Sequence, residues 1–213
     1  MTAQVYDLRD EDSLMQPALA AAAKAVSLHT YFIGGALFAS AGHLVAQAYG
    51  ATVIAGEIYH GETQLAVLLR AGRASGVFPV DEWFTLVTTL QPCPQCRQIC
   101  IQQKKLLVLY GAPTPTSGAE LGDLLETYTN TEKRRIEEND GQPVVRPANL
   151  SAVVRQQCVE GHRQHRNPVL RVLDEVSMGL MPFTDLLELV ETTDPTVIPR
   201  IRAFQDKRRG ERV

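Results

Sequence analysis

Trp83-Phe84-Thr85-Leu86-Val87-Thr88-Thr89-Leu90-Gln91-Pro92-Cys93-Pro94-Gln95-Cys96 runs aromatic, β-branched and leucine residues without a break into a proline and a pair of cysteines. Such a run reads as a strand from Trp83 to Leu90. Pro92 has no N–H with which to continue a ladder, so the strand stops there and Cys93 to Gln103 winds as a helix. Both cysteines then fall in the first helical turn. There the partial positive charge of the helix N-terminus lowers thiol pKa and favours the thiolate that a metal requires.

Upstream, His60-Gly61-Glu62 opens another helix, because Leu65, Leu68 and Leu69 recur at helical spacing up to Gly72. His60, Cys93 and Cys96 make three borderline-soft ligands for a tetrahedral Zn²⁺ and leave the fourth position to water. That is the stoichiometry of a catalytic zinc, since a structural one takes a fourth protein ligand. Glu62, just past the histidine, can reach the bound water as a proton shuttle rather than bind the metal. Cys100 lies one turn beyond Cys96 and reads as a small buried hydrophobe. Cys158, His162 and His165 share a helix face without a fourth ligand nearby, so a second metal site is not expected. His29 and His43 are isolated, and Trp83 and Phe84 are expected to pack rather than to stack on bases.

The rest of the chain alternates in the same way. Pro17 to Leu28 is Ala-rich and helical in pattern. Tyr31 to Ala39 is an apolar strand, and Ser40-Ala41-Gly42-His43 turns it into a second strand, Leu44 to Tyr49. Gly50 to Tyr59 connects to His60. Leu106 to Tyr110 is a further strand, ended by Gly111-Ala112-Pro113. Thr116 to Gln142 is polar with mixed charges and reads as an exposed helix or loop rather than a lid. Pro143 to Pro147 is a fifth short strand, and Asn149 caps a helix to about Gln164. Asn167 to Val213 reads as two or three short helices broken at Gly179, Pro182, Pro195 and Pro199. Strands joined through helices run parallel, so the expected fold is a three-layer α/β/α sandwich on a mixed five-stranded sheet with one antiparallel hairpin. Residues 1–166 form its core domain and 167–213 a C-terminal helical extension, whose Val169, Leu170, Val172, Leu173, Leu186, Leu187, Leu189 and Val190 must be buried.

Composition restricts the partners. The 213 residues, 45% hydrophobic and 21% charged, suffice for one core with an appended subdomain. The formal net charge of −3 argues against a dedicated nucleic-acid binder, which needs a basic excess to neutralise phosphates, and for a small substrate. Lys207-Arg208-Arg209 with Arg212 reads as a solvated, frayed tail. No stretch approaches the roughly 20 apolar residues of a membrane span, and the acidic start (Asp7, Asp10, Glu11, Asp12) lacks the character of a signal peptide. Four cysteines, two in one C-x-x-C, suit metal binding in a reducing cytoplasm better than a disulfide scaffold.

Residues 31 to about 165 resemble the cytidine deaminase-like zinc deaminase superfamily, in which H-x-E and P-C-x-x-C recur at this separation. The Val108-Leu109-Tyr110-Gly111-Ala112-Pro113 strand is similar to that of the branch holding tRNA adenosine, guanine and deoxycytidylate deaminases. The resemblance implies Zn²⁺ on His60, Cys93 and Cys96, with Glu62 moving protons while zinc hydroxide attacks the ring carbon that bears an exocyclic amine. It also implies a homodimer. The departures concern the substrate. Gly61 stands where the family usually has alanine. No asparagine follows the second strand, where Tyr49 or Thr52 takes its place, and Gln91 replaces a glutamate common before the proline. The expected function is hydrolytic deamination of a nucleobase, nucleoside or related small heterocycle. The alternatives are a nucleic-acid editing deaminase of the tRNA adenosine type, disfavoured by charge, and a non-enzymatic zinc scaffold, disfavoured by Glu62.

Overall fold

The computed structural model describes residues 4–28, 30–51, 59–113, 134, 144–176 and 187–210. Among them, strands β1 (Gly34–Ala39), β2 (Leu44–Tyr49), β3 (Phe84–Leu90), β4 (Leu106–Ala112), β5 (Val145–Pro147) and β6 (Glu191–Thr192) form one sheet of order β5-β4-β3-β1-β2-β6. Helices α1 (Glu11–Ser27), α2 (Gly61–Ala74), α3 (Pro94–Ile101), α4 (Ala152–Val176) and α5 (Val197–Gly210) cover its two faces. The expected β1–β2 hairpin is antiparallel, and β3, β4 and β5 run parallel to one another as expected.

Period-two alternation divides the strands between two cores. Leu37, Ala46, Ala48, Phe84, Leu86, Leu106 and Val108 face α2, with Leu65, Leu68 and Leu69 packed on them. Ala36, Phe38, Val87 and Leu109 face α1 and α4, against Leu14, Met15, Ala18, Val154 and Cys158. The three α2 leucines, at about 1.5–3 kcal/mol each for full burial, outweigh the roughly 1 kcal/mol that each of Gly61 and Gly72 costs a helix. The helix therefore holds its first turn firmly against the sheet.

Several boundaries depart from the sequence pattern. The sheet has six strands rather than five: Glu191 and Thr192 pair antiparallel with Gln47 and Ala46, and Thr193 N donates to the Val45 carbonyl. The C-terminal extension is thus not purely helical, because the open edge of β2 offers unpaired backbone groups that any adjacent extended segment can satisfy. Of the positions expected to be buried, Leu187 and Val190 lie inside the α2-side core with Val197 and Ile201, Leu189 packs half-buried beside Tyr49 and Tyr59, and the side chains of the others lie outside the described residues. Pro199 does not break the chain but sits in the first turn of α5, where a missing N–H costs nothing. Lys207, Arg208 and Arg209 belong to the last turn of that helix, not to a frayed tail.

Helix α1 starts at Glu11, six residues before Pro17, since the Asp10 carboxylate caps it by accepting from Ser13 N at 3.3 Å. Ser151 rather than Asn149 stands at the start of α4, its hydroxyl accepting from Val154 N, while Asn149 N and Ser151 N donate to the Glu11 and Asp12 carboxylates of α1. That helix runs on to Val176, across the position where the two domains were divided. Strand β1 begins at Gly34 rather than Tyr31, and Trp83 lies just before β3, 36% exposed. The segment 116–142, Arg134 excepted, and the breaks at Gly179 and Pro182 lie outside the described residues, as do His29 and Thr52.

Candidate metal centre

Two helix N-termini meet on the α2 side of the sheet. His60 is the N-cap of α2, with extended backbone (φ −75°, ψ 141°) and a side chain that makes no capping bond. The residue before it is tied down: Gln64 Nε2 donates to the Tyr59 carbonyl at 3.2 Å and to the Tyr49 carbonyl at 2.9 Å, which joins the helix start to the end of β2. Cys93 is the N-cap of α3, in the same extended conformation (φ −61°, ψ 162°), and Pro94 opens the helix with its φ already set. Cys93 Sγ takes the role a Ser or Asp oxygen usually plays, accepting from Cys96 N at 3.4 Å.

His60, Cys93 and Cys96 come together as expected. Cys93 Sγ lies 3.9 Å from His60 Nδ1 and 3.1 Å from Cys96 Sγ. Both separations are shorter than about 4.6 Å, twice a zinc–thiolate bond, so one ion can span the three donors. Among the described residues no other group of three His, Cys, Asp or Glu donors converges. The two sulfurs shift each other's acidity in opposite directions. Contact with the Cys96 thiol, opposed by burial and helped by His60, draws Cys93 down to about 4, whereas the same contact and burial push Cys96 up. A soft, half-ionised sulfur pair beside an imidazole is the donor chemistry of Zn²⁺, and the metal would displace the remaining proton. Thr63 Oγ1 adds a 3.5 Å contact to Cys96 Sγ.

Glu62 follows in the first turn of α2, 2% exposed. Burial raises its pKa, and this wins over its own backbone N–H, His60 and the Thr88 hydroxyl, which all act the other way. Thr88 Oγ1 donates to Oε1 at 3.1 Å, while Oε2 is buried with no hydrogen-bond partner among the described residues. A buried carboxylate with one oxygen anchored and the other unpaired is costly unless it has a task. Gly61 lets the start of α2 lie close against β2: a Cβ there would come within 3.2 Å of the Ala48 carbonyl.

The remaining candidates are placed variously. The Tyr49 ring packs with Ala21, Ala25, Ala51 and Tyr59, with the Lys24 ammonium 5.6 Å from its centroid. Gln91 is half-buried at the end of β3, where its N–H donates to the Ala112 carbonyl. Cys100 is fully buried in the α2-side core, Cys158 in the α4-side core, and burial raises both thiols, Cys158 to about 11. Thr88, Thr63 and Gln64 are the contributors that sequence reasoning missed. A signal existed for Thr88, since period two puts it on the same face as Phe84 and Leu86, four and two residues back. Thr63 and Gln64 carried none, as neither type is diagnostic in a first helical turn.

Comparison with known proteins agrees with this geometry. The family described as the cytidine and deoxycytidylate deaminase zinc-binding region matches residues 8–112. Among solved structures, a guanine deaminase from Nitrosomonas europaea is 17% identical, with 76% of this chain and 88% of that one covered and a TM-score of 0.51. A protein in complex with 2,6-diaminopurine is 16% identical over 77% and 84% of the two chains, with a TM-score of 0.53. A structure from work on A-to-I editing by tRNA A34 deaminases at the wobble position is 28% identical over 50% and 80%, with a TM-score of 0.40. No curated protein sequence matches the chain.

Proposed function

Because the chain belongs to the cytidine deaminase-like zinc deaminase superfamily, we propose that it removes an exocyclic amine hydrolytically from a small nucleobase, nucleoside or related heterocycle. The observation that carries this reading is the buried Glu62 carboxylate beside three zinc donors, a group that a purely structural zinc would not need. Bound at His60, Cys93 and Cys96, Zn²⁺ supplies Lewis acidity that brings water within reach of deprotonation near neutral pH. Glu62 takes the water proton on its unpaired oxygen and hands it to the departing amine, which leaves as ammonia. Burial supports the first half of this role, since the raised pKa makes the Glu62 carboxylate a better acceptor of the water proton than an exposed one. Gly61, Tyr49, Thr52 and Gln91 are the positions proposed to line the substrate side.

A small substrate follows from the formal net charge of −3. The proposed setting is a homodimer in a reducing cytoplasm, with residues 1–166 as the deaminase domain and 167–213 as its extension. Four free cysteines support the compartment. No described helix is long and apolar enough to cross a membrane. The test is ammonia release from cytosine, cytidine, deoxycytidylate, adenosine, guanine and pterins by the zinc-loaded protein, with Glu62→Gln as control. Turnover of at least one compound that disappears in the control is expected. Turnover undiminished in Glu62→Gln, or tight salt-dependent RNA binding with editing in place of small-molecule turnover, would refute the reading.

A further inference from the structure

The strand that delivers the cysteines also carries a hydroxyl to the carboxylate. Thr88 and Glu62 are both buried, 0% and 2% exposed, and the Thr88 Oγ1 to Glu62 Oε1 distance of 3.1 Å is that of a formed hydrogen bond. Glu62 Oε2 has no partner among the described residues. The two oxygens of this carboxylate are therefore not equivalent. One is held by the sheet, and the other is the only one left to exchange a proton. Without the hydroxyl, rotation about the last side-chain bond would interchange them, because terminal carboxylate torsions are broad and roughly two-fold.

We propose that Thr88 is a positioning residue which clamps Glu62 Oε1 and so dedicates Oε2 to proton transfer. The next residue provides an internal contrast. Thr89 points to the opposite face of β3, where its Oγ1 accepts from Gly34 N at 3.1 Å and joins β3 to β1. Two adjacent threonines on one strand thus do different work: Thr89 ties strand to strand, and Thr88 ties sheet to carboxylate. A threonine suits the clamp because its β-branch fixes χ1 and the strand fixes its direction. A longer donor would reach the carboxylate from several rotamers.

This rests on the deaminase reading of Glu62, and the experiment separates the two. Thr88→Val keeps shape and β-branching and deletes the hydroxyl, whereas Thr88→Ser keeps the hydroxyl. With the compound that releases ammonia in the panel above, Thr88→Val is expected to lower kcat about 10- to 100-fold, the usual size of losing a group that orients an active residue. KM should stay within about two-fold, zinc should remain at about one per chain, and Thr88→Ser should recover most of the loss. Thr89→Val should lower stability with kcat unchanged. A crystal structure of zinc-loaded Thr88→Val is expected to show the Glu62 carboxylate displaced or in two orientations, a readout that needs no substrate. If the valine variant does not fold, Thr88→Ala, which makes no demand on space, takes its place in each measurement.

The inference is overturned if Glu62→Gln abolishes turnover while Thr88→Val does not, or if the carboxylate keeps its place without the hydroxyl. Equal losses in the valine and serine variants would likewise reduce Thr88 to packing. Failure of Glu62→Gln to affect turnover would instead strike the underlying reading.

Discussion

Four cysteines occupy two kinds of site in this molecule, and the contrast between them lies in the backbone around each sulfur. Cys93 and Cys96 stand at the N-terminus of α3, where a helix start, an imidazole and a second sulfur draw Cys93 toward thiolate, while the contact with Cys93 and burial push Cys96 the other way. Cys100 and Cys158 lie among Leu65, Leu106, Val154 and other apolar side chains, where charge is unwelcome and the thiol stays protonated. Cys100 is only four residues from Cys96 on the same helix. One helical turn separates a metal ligand from a piece of core. The lesson is that reactivity follows the local donors and the dielectric, not the residue type.

The surest way to break this contrast is through the metal. Cys93→Ala or His60→Ala should drop zinc from about one per chain to near zero by elemental analysis, while Cys100→Ala and Cys158→Ala keep it. Zinc loss in the Cys100 variant would move the boundary between the two classes.

Loss of the carboxylate ranks next. Glu62→Gln should retain zinc and fold while kcat falls at least about 10²-fold, the low end for positioned acid–base catalysis. Retained turnover would leave the three ligands without a chemical partner.

Alkylation of the metal-free protein sharpens the contrast directly. Since Cys93 is drawn down to about 4 and Cys158 pushed up to about 11, at pH 6 the first is thiolate and the second thiol. Iodoacetamide at pH 6 should therefore label Cys93 first and leave Cys158 untouched by mass spectrometry. Equal labelling in the folded state would contradict it.

A smaller effect tests Cys158 as core. A Cβ on Gly111 would lie 2.5 Å from Cys158 Sγ and 3.0 Å from the Thr89 carbonyl. Gly111→Ala should cost about 1–3 kcal/mol in denaturant melts, partly recovered by adding Cys158→Ala, because the clash and the cavity offset each other. Smallest of all, the exposed Lys24–Glu191 ion pair that fastens β6 should contribute no more than about 1 kcal/mol, read from Lys24→Ala.

The site was more legible in the sequence than the edges of the fold. His60, Cys93 and Cys96 could be matched because metal chemistry restricts both residue type and spacing, and the strand–helix units that carry them have strong periodicity. The capping signal at Asp10 to Ser13 was present but overshadowed by Pro17, which reads as a helix start although α1 runs through it. Asn149 and Ser151 are both good caps. The one whose side chain caps is Ser151, its hydroxyl accepting from Val154 N.

By itself the sequence determined the three-layer class, the succession of the main strands and helices along the chain and the three zinc donors, since these rest on local periodicity and on ligand chemistry. Only the tertiary structure decided that Glu191 and Thr192 become a sixth strand, because two residues have no pattern of their own and acquire a conformation from the exposed edge of β2. The same holds for the partner of Glu62. Thr88 lies 26 residues along the chain, and what brings its hydroxyl to the carboxylate is the packing of α2 across the sheet, a contact that no sequence window contains.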